Sequence, residues 1–289
     1  MGRLFVVIAT VGRPNLVRQT VDLLARQTRP ADGVLVVGAD AEDVAGVAEA
    51  RTNPEIAFSK RGLCRQRNRA LDLLTGRADW IVFFDDDFVP AEDYLEQVER
   101  IFETSPEVVG ITGELIADGI RSQGYSVADA QLMLAQARPQ PASPLNRRKA
   151  LYGCNMSIRV SAAEGLRFDE ALPLYGWQED IDFTYQLGRR GLLVSGKAIT
   201  GVHLGTKGGR TAGKKIGYSQ VANIVYLWRK GTMQPGLGEK LMWRNLLSNL
   251  VRSIRPEPHI DRRGRLHGNI IALRDWTTGK IDPRRIEVM

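Results

Sequence analysis

The chain has 289 residues, 43% of them hydrophobic and 25% charged, with 29 glycines and 13 prolines, which excludes a disordered or fibrous chain and suffices to bury most of its apolar surface. The formal net charge is +7, yet residues 207–289 hold 17 Lys and Arg against 6 Asp and Glu, so the remainder is acidic. Such asymmetry points to an anionic partner at that end, whether a diphosphate, a lipid surface or nucleic acid, or to a solvated basic surface.

No apolar run approaches the ~18 residues that a membrane-spanning helix needs; the longest are strand-length pieces such as LFVVIA and WIVFF. The N-terminal MGRLFVVIATVGRP lacks a small-x-small cleavage site and reads as a first core strand rather than a signal peptide. Val6 stands where a myristoylation motif wants Ser or Thr. Cys64 and Cys154 are too few and too far apart for a disulfide framework or a zinc site, and a reducing, cytoplasmic setting is expected.

Strand and helix signals alternate along the first half. RLFVVIAT is followed by helical NLVRQTVDLLARQ opened by Pro14, then GVLVVGAD, helical AEDVAGVAEA, a short IAFSK, helical GLCRQRNRALDLL, and WIVFF ending in Asp85, Asp86 and Asp87. Val/Ile-rich strands separated by amphipathic helices predict an α/β fold, a mostly parallel sheet with helices on both faces. Ligands bind beyond the carboxyl ends of such strands, which here carry Thr10 with Arg13, Asp40 and the three aspartates. Residues 113–149 break the rhythm: a helical VADAQLMLAQ leads into proline-rich RPQPASPLNRRK, read as an insertion or crossing segment. KALYGCNMSIRV, the acidic GWQEDIDFTYQLGRRG, strand-like LLVSGKAITGVHL and the loop GTKGGRTAGKK follow, and beyond them two amphipathic helix candidates and a charged end.

Three adjacent carboxylates after a buried strand repel, by about 3 kcal/mol for two charges ~5 Å apart at an effective dielectric of ~20. A divalent cation, Mg²⁺ or Mn²⁺, would remove that cost, and a solvated acidic turn is the alternative. Glu179, Asp180 and Asp182 open a helix, where the dipole favours negative charge, so capping accounts for them too. Gly176 and Trp177 just before them supply a tight turn and an aromatic platform for a sugar ring, and a carboxylate there is placed to take a hydroxyl proton. His203 ends the strand AITGVHL as a structural residue or a metal ligand. GGRTAGK at 208–214 matches a P-loop pattern, which opens a nucleotide hydrolase or kinase as a rival reading. Against it, Lys215 stands where a metal-binding Ser or Thr belongs, and the acidic strand precedes the glycine loop.

Taken together these segments resemble the family 2 glycosyltransferases, inverting enzymes of the GT-A fold. VVIATVGRPNLVRQTVDLLARQT resembles the family's opening strand and helix, with Thr10 and Arg13 near the nucleotide. VLVVGAD puts Asp40 where the family offers a carboxylate to the base, usually uracil or thymine, which implies a UDP or dTDP sugar. GLCRQRNRAL is similar to the segment that brings Arg67 and Asn68 toward the donor. FFDDDFVP resembles the D-x-D motif, implying that Asp85, with Asp86, faces the nucleotide sugar and Asp87 the metal. YGCNMSIR resembles the acceptor-side segment through Asn155, and WQEDID the motif whose aspartate is the catalytic base, implying Asp180, with Trp177 and Glu179 on the acceptor side. His203 stands where the family places a metal-binding histidine. Lys207, Arg210 and Lys214 are then expected over the diphosphate.

The resemblance implies a Rossmann-like GT-A catalytic domain over residues 1–215, a basic helical extension over 216–289, and an inverting, non-processive transfer to a saccharide or lipid-linked acceptor in polysaccharide or glycolipid assembly. A non-catalytic module that binds anionic lipid or nucleic acid is the rival from another class; aromatics at 7% are scarce for a single-strand binder, and no nucleic acid is expected. Residues 240–255, drawn as a helix, put Met242, Trp243, Leu246, Leu247, Leu250 and Ile254 on one side and Lys240, Arg244, Arg252 and Arg255 on the other, where Leu241 and Val251 intrude. That pattern fits a helix lying on the inner face of an anionic membrane, and equally one that packs its apolar side on the protein.

Overall fold

The computed structural model describes residues 2–137, 144–206, 212–234 and 236–289. The chain forms two compact units, one of Met1–Arg61, Arg65–Arg167 and Gln186–Gly209, the other of Gly62–Cys64, Phe168–Tyr185 and Arg210–Met289. Compared with a division after residue 215, the second unit also takes in residues 62–64 and 168–185, and with them Trp177, Glu179 and Asp180.

The first unit is built on a sheet. Its elements begin with β1 (Leu4–Ala9), α1 (Pro14–Leu24), β2 (Gly33–Gly38), β3 (Glu55–Phe58), α2 (Leu63–Leu74), β4 (Trp80–Asp85) and β5 (Phe88–Pro90). They continue with α3 (Tyr94–Thr104), β6 (Val108–Asp118), α4 (Val127–Gln136), β7 (Asn146–Arg147), β8 (Asn155–Arg159) and β9 (Leu192–His203), while α5 (Glu179–Leu187) starts in the second unit. The strands order as β3-β2-β1-β4-β8-β6-β9-β5, with β7 also on β9. The pairs β1–β2, β1–β4, β2–β3 and β6–β9 are parallel, while β8, β5 and β7 run against their neighbours. Most strands therefore share one direction, as the apolar runs predict.

Alternation along β1 sends Leu4, Val6 and Ile8 to one face, where they pack with Val17 and Val21 of α1 and Val98 and Phe102 of α3. Pro14 starts α1, since its fixed φ suits the first helical turn and its missing N–H is an orphan there anyway. The other face carries Phe83, over whose ring the Arg67 guanidinium of α2 lies at 5.6 Å. Helices thus cover both faces.

Two stretches depart from the sequence reading. AEDVAGVAEA is not an α-helix: only Glu42–Val44 makes a 3-10 turn, and Gly46 takes φ 73°. The Asp43 carboxylate there accepts from Gly12 N at 2.6 Å and Ala39 N at 2.8 Å, a local alternative to helical bonding that short acidic side chains offer. Residues 113–118, read as part of a break, continue β6 to Asp118. Burial there alternates as in a strand, but the apolar run Leu115-Ile116-Ala117, with Ile116 exposed, blurs the alternation in the sequence. Of the proline-rich segment, residues 138–143 lie outside the described residues, and Asn146–Arg147 pair with Ser195 and Val194.

The second unit holds three helices beyond residue 212 rather than two: α6 (Gly213–Lys230), α7 (Leu237–Arg252) and α8 (Arg262–Thr277). α6 and α8 meet through glycines, because a Cβ at Gly217 would lie 2.0 Å from Arg265 O and one at Gly268 2.0 Å from Lys214 O. Polar side chains tie the three helices. Asn249 Nδ2 donates to Gln220 Oε1 and to Asn269 Oδ1, both at 2.8 Å, and Asn269 Nδ2 donates to Gly217 O at 2.6 Å. A fully bonded buried network of this kind specifies one packing of the helices, since each unmade bond would strand a desolvated group.

Candidate active site

In the first unit the carboxyl ends of β1 and β4 and the end of β9 bring charged side chains together. β4 ends at Asp85, and the turn to β5 holds Asp86 and Asp87. Antiparallel pairing of β5 with β9 places Phe88 opposite His203. One ligand atom each from Asp85, Asp87 and His203 lies within 4.8 Å of the others. His203 Nε2 is 3.2 Å from Asp87 Oδ1, and its Nδ1 is 3.1 Å from Asp118 Oδ1. Thr206 N donates to Asp87 Oδ2 at 2.9 Å.

Asp86 turns inward. Thr10 Oγ1 donates to its Oδ2 at 2.7 Å, and Arg13 Nη2 stands 2.6 Å from Oδ1 while reaching Asp87 at 3.5 Å. Thr10 and Asp86, both expected on the donor side, are buried and bonded to each other. Arg67, 2% exposed, sets Nη2 at 3.2 Å from Asp85 Oδ1 and donates to Gly153 O at 2.8 Å. Asn68 is buried on the same helix, and Asp40 is exposed beyond β2, its Oδ1 accepting from Glu42 N at 3.0 Å. Asn155 is fully buried in β8, where its amide accepts from Thr112 Oγ1 at 2.5 Å and donates to Gly113 O at 3.3 Å. Its side chain is thus engaged with neighbouring strand β6.

The electrostatics separate the carboxylates. Burial pushes the Asp86 carboxyl up to about 7, against the pull of Arg13 and with the push of Asp87. Asp87 is held down at about 2: burial raises it, but the hydrogen bond and charge of His203, then Arg13, outweigh that. For His203 burial works against the charged form, yet Asp118 and Asp87 raise the imidazole to about 10. The carboxylates around the imidazole therefore favour positive charge there. The need for positive charge at that point, together with two carboxylates and one imidazole as donors, fits a hard or borderline divalent cation such as Mg²⁺ or Mn²⁺.

The second unit carries the acidic helix start. Leu174, Gly176 and Gln178 all have positive φ, at 57°, 64° and 71°, and turn the chain sharply into α5. The Trp177 carbonyl accepts from Asn223 Nδ2 at 2.7 Å, which ties that turn to α6. Glu179 is buried, whereas Asp180 is partly exposed, its Oδ1 accepting from Ile181 N at 2.8 Å. Asp182 is fully buried, 2.8 Å from Lys230 Nζ and 2.5 Å from Thr232 Oγ1. Lys214 is partly exposed in the first turn of α6; Lys207 and Arg210 lie outside the described residues.

Three residues of the strand-end cluster carry no signal in the sequence reading. Asp118 holds the far nitrogen of His203 from the end of β6, and Asp43 holds the Gly12 and Ala39 amides. Gln66 Nε2 donates to Thr10 O at 2.8 Å and Val37 O at 2.7 Å, fastening the ends of β1 and β2. Gln66 stands inside GLCRQRNRAL, where that segment pointed to the site without singling it out.

The mixed sheet thus carries an acidic turn and a histidine together at its strand ends. The family model "Glycosyl transferase family 2" matches residues 5–167, more than half of the chain, and the chain belongs to that family. This membership replaces the P-loop and the non-catalytic readings. Mannosyltransferase PcManGT from Pyrobaculum calidifontis, in complex with GDP-Man and Mn²⁺, is 17% identical with a TM-score of 0.57, over 99% of this chain and 86% of that one. S. aureus TarS 1-349, in complex with UDP-GlcNAc, is 15% identical with a TM-score of 0.58, over 99% and 83%. Glucosyl-3-phosphoglycerate synthase from Mycobacterium tuberculosis, in complex with phosphoglyceric acid, is 16% identical with a TM-score of 0.54, over 81% and 82%. At these identities the likeness shows the fold. No curated protein matches the chain, and no described helix is long and apolar enough to cross a membrane.

Proposed function

We propose that the protein is an inverting, metal-dependent glycosyltransferase. It moves one sugar per encounter from a nucleoside diphosphate sugar to a hydroxyl of a saccharide or lipid-linked acceptor, in polysaccharide or glycolipid assembly. The observation that carries this reading is the Asp85, Asp87 and His203 donor group at the strand ends of a family 2 chain. Asp85, Asp87 and His203 would hold a divalent cation, which would supply Lewis acidity toward the charge that gathers on the leaving diphosphate. The complexes of PcManGT with GDP-Man and Mn²⁺ and of TarS with UDP-GlcNAc support a nucleotide-sugar donor.

Arg67 holds Asp85, and Arg13 with Thr10 holds Asp86, so the acidic turn keeps one shape before a donor arrives. Such preorganisation spares the cost of ordering charged groups during the reaction. Asp40 accepts from the N–H of a uracil or thymine base. Lys207, Arg210 and Lys214 meet the diphosphate, and Trp177 gives the acceptor sugar an apolar face. Asp180 accepts the proton of the attacking hydroxyl, whose oxygen forms the new bond to the anomeric carbon as the bond to the diphosphate oxygen breaks on the opposite face. The nucleoside diphosphate leaves with that electron pair, and the configuration inverts.

Nucleotide release from UDP, dTDP and GDP sugars, with Mn²⁺ or with EDTA, tests the reading. Release with at least one donor that EDTA suppresses is expected. No release from any donor overturns the transferase assignment, and undiminished turnover in EDTA overturns the metal. Asp180→Asn is expected to retain donor binding while transfer falls roughly 10²–10⁴-fold, the range for loss of general-base assistance. Wild-type transfer by that variant at saturating acceptor would remove Asp180 as the base. Asp182 does not replace it, because Lys230 and Thr232 already occupy its carboxylate.

A further inference from the structure

We propose that α7 is an interfacial helix that seats the second unit on an anionic lipid surface. The side that α7 turns toward its own unit carries Met242, 3% exposed, and Asn249, which is fully buried and bonded to Gln220 and Asn269. At 100° per residue Trp243, Leu247 and Leu250 lie on an arc centred about a third of a turn from these two, and Ile254 follows just past the helix end. The three helical positions are spaced by four and three residues, so they form one stripe. Trp243 is 63% exposed, Leu247 61%, Leu250 56% and Ile254 77%, with Val251 beside them at 57%. The periodicity alone allowed this stripe to pack inward, but the inward side is taken by Met242 and a polar network.

Charge selects the occupant. Lys240 and Arg244 border the stripe on one side, Arg255 follows the helix end, and all three are exposed and make no ion pair among the described residues. Arg252, also basic and exposed, pairs with Glu257. Glu239, in the first turn, is the single acid on the helix. A two-fold contact between copies of this stripe would set the same cations against each other, because an isologous interface repeats one patch on both sides. Anionic headgroups neutralise those cations while Trp and Leu side chains enter the acyl boundary, the arrangement of helices that lie in a membrane interface. A lipid surface also suits a helix too short and too charged to cross one. Recruitment to a bilayer would concentrate the protein where lipid-linked hydroxyl acceptors reside. Docking itself stands independently of the transfer chemistry.

Co-sedimentation of the full chain with phosphatidylcholine vesicles, with and without phosphatidylglycerol, at low and high salt, tests the proposal. Binding to the anionic vesicles that weakens as salt rises, and little binding to phosphatidylcholine alone, is expected. The triple variant Lys240→Gln, Arg244→Gln, Arg255→Gln should lower the partition coefficient by roughly fivefold per charge. Trp243→Ser with Leu247→Ser should abolish binding. All five side chains are exposed, so circular dichroism and the thermal midpoint should match the wild type. Brominated lipid should quench part of the tryptophan emission of the wild type, and Trp243→Phe should remove that part. Recovery of the wild type in the supernatant with both vesicle types overturns the proposal. A concentration-dependent dimer that binds no vesicles and is dispersed by Trp243→Ser with Leu247→Ser overturns it in favour of a second copy of this chain.

Discussion

His203 and Asp118 stand 85 residues apart in sequence, yet Nδ1 of the imidazole lies 3.1 Å from the carboxylate Oδ1. Asp118 is itself held by Ile120 N, which donates to that same oxygen at 3.1 Å. This contact fixes the ring so that Nε2 faces Asp87. A carboxylate behind a ligating imidazole sets its tautomer and raises its basicity, and losing such a partner costs about 10–100-fold in metal affinity. Asp118→Asn should therefore weaken Mn²⁺ binding by about that factor, while Asp87→Asn, which removes a proposed ligand, should weaken it more. Calorimetric titration with Mn²⁺ orders the two; equal, unchanged affinities would detach both residues from the metal.

Asp182 and Lys230 are a structural pair in the second unit. The carboxylate is fully buried and the ammonium half-buried, with Asp169 as a second partner 2.7 Å from the same nitrogen. Lys230→Met would take the ammonium away from the buried Asp182 carboxylate and leave the Thr232 hydroxyl bond in place. Stranding a buried charge is costly, and a loss of about 2–4 kcal/mol is expected. Asp182→Asn, which keeps the shape and removes the charge, should cost less. Urea unfolding midpoints distinguish them, and a larger loss from Asp182→Asn would contradict the ordering.

The same cluster sets a pH response. Burial raises the Asp169 carboxyl, but hydrogen bonds from Lys230, Ala171 N and Tyr226 outweigh it and hold the group below its ordinary 3.8. A carboxyl depressed in the folded state contributes stability above its unfolded value, and loses it as pH falls through the folded value. Thermal midpoints should therefore drop on acidification below about pH 4. Asp169→Asn should start lower at neutral pH and show a shallower acid-side slope. Parallel slopes for the two proteins would exclude Asp169 as a contributor.

Gly217 and Gly268 let α6 and α8 approach, since an added Cβ would stand 2.0 Å from a carbonyl oxygen in either case. Neither glycine has a positive φ, so the constraint is contact rather than backbone conformation. Gly217→Ala and Gly268→Ala should each destabilise by about 1–3 kcal/mol, the usual cost of overpacking, although alanine favours helix. Calorimetry reads the lowered midpoint; a raised midpoint would show that the helices separate without cost.

What the amino-acid sequence by itself determined was local. LFVVIA, GVLVVG and WIVFF announce buried strands because apolar content is written within six residues, and Pro14 marks the start of α1 because its ring admits little else. The aspartates after WIVFF and His203 after AITGV are likewise visible as strand ends. The family resemblance added their order along the chain. Tertiary structure decided what each side chain does there. Asp43 sits in a stretch whose composition suits a helix, and its carboxylate instead binds the Gly12 amide 31 residues away. Asp118 closes a strand whose exposed Ile116 blurs its apolar alternation, and its role exists only through β6 lying beside β9. For α7 the period is identical whether its apolar stripe points in or out. The choice is made by Asn249, Asn269 and Gln220, whose desolvated amides must find one another and so turn Trp243 and Leu247 to the surface.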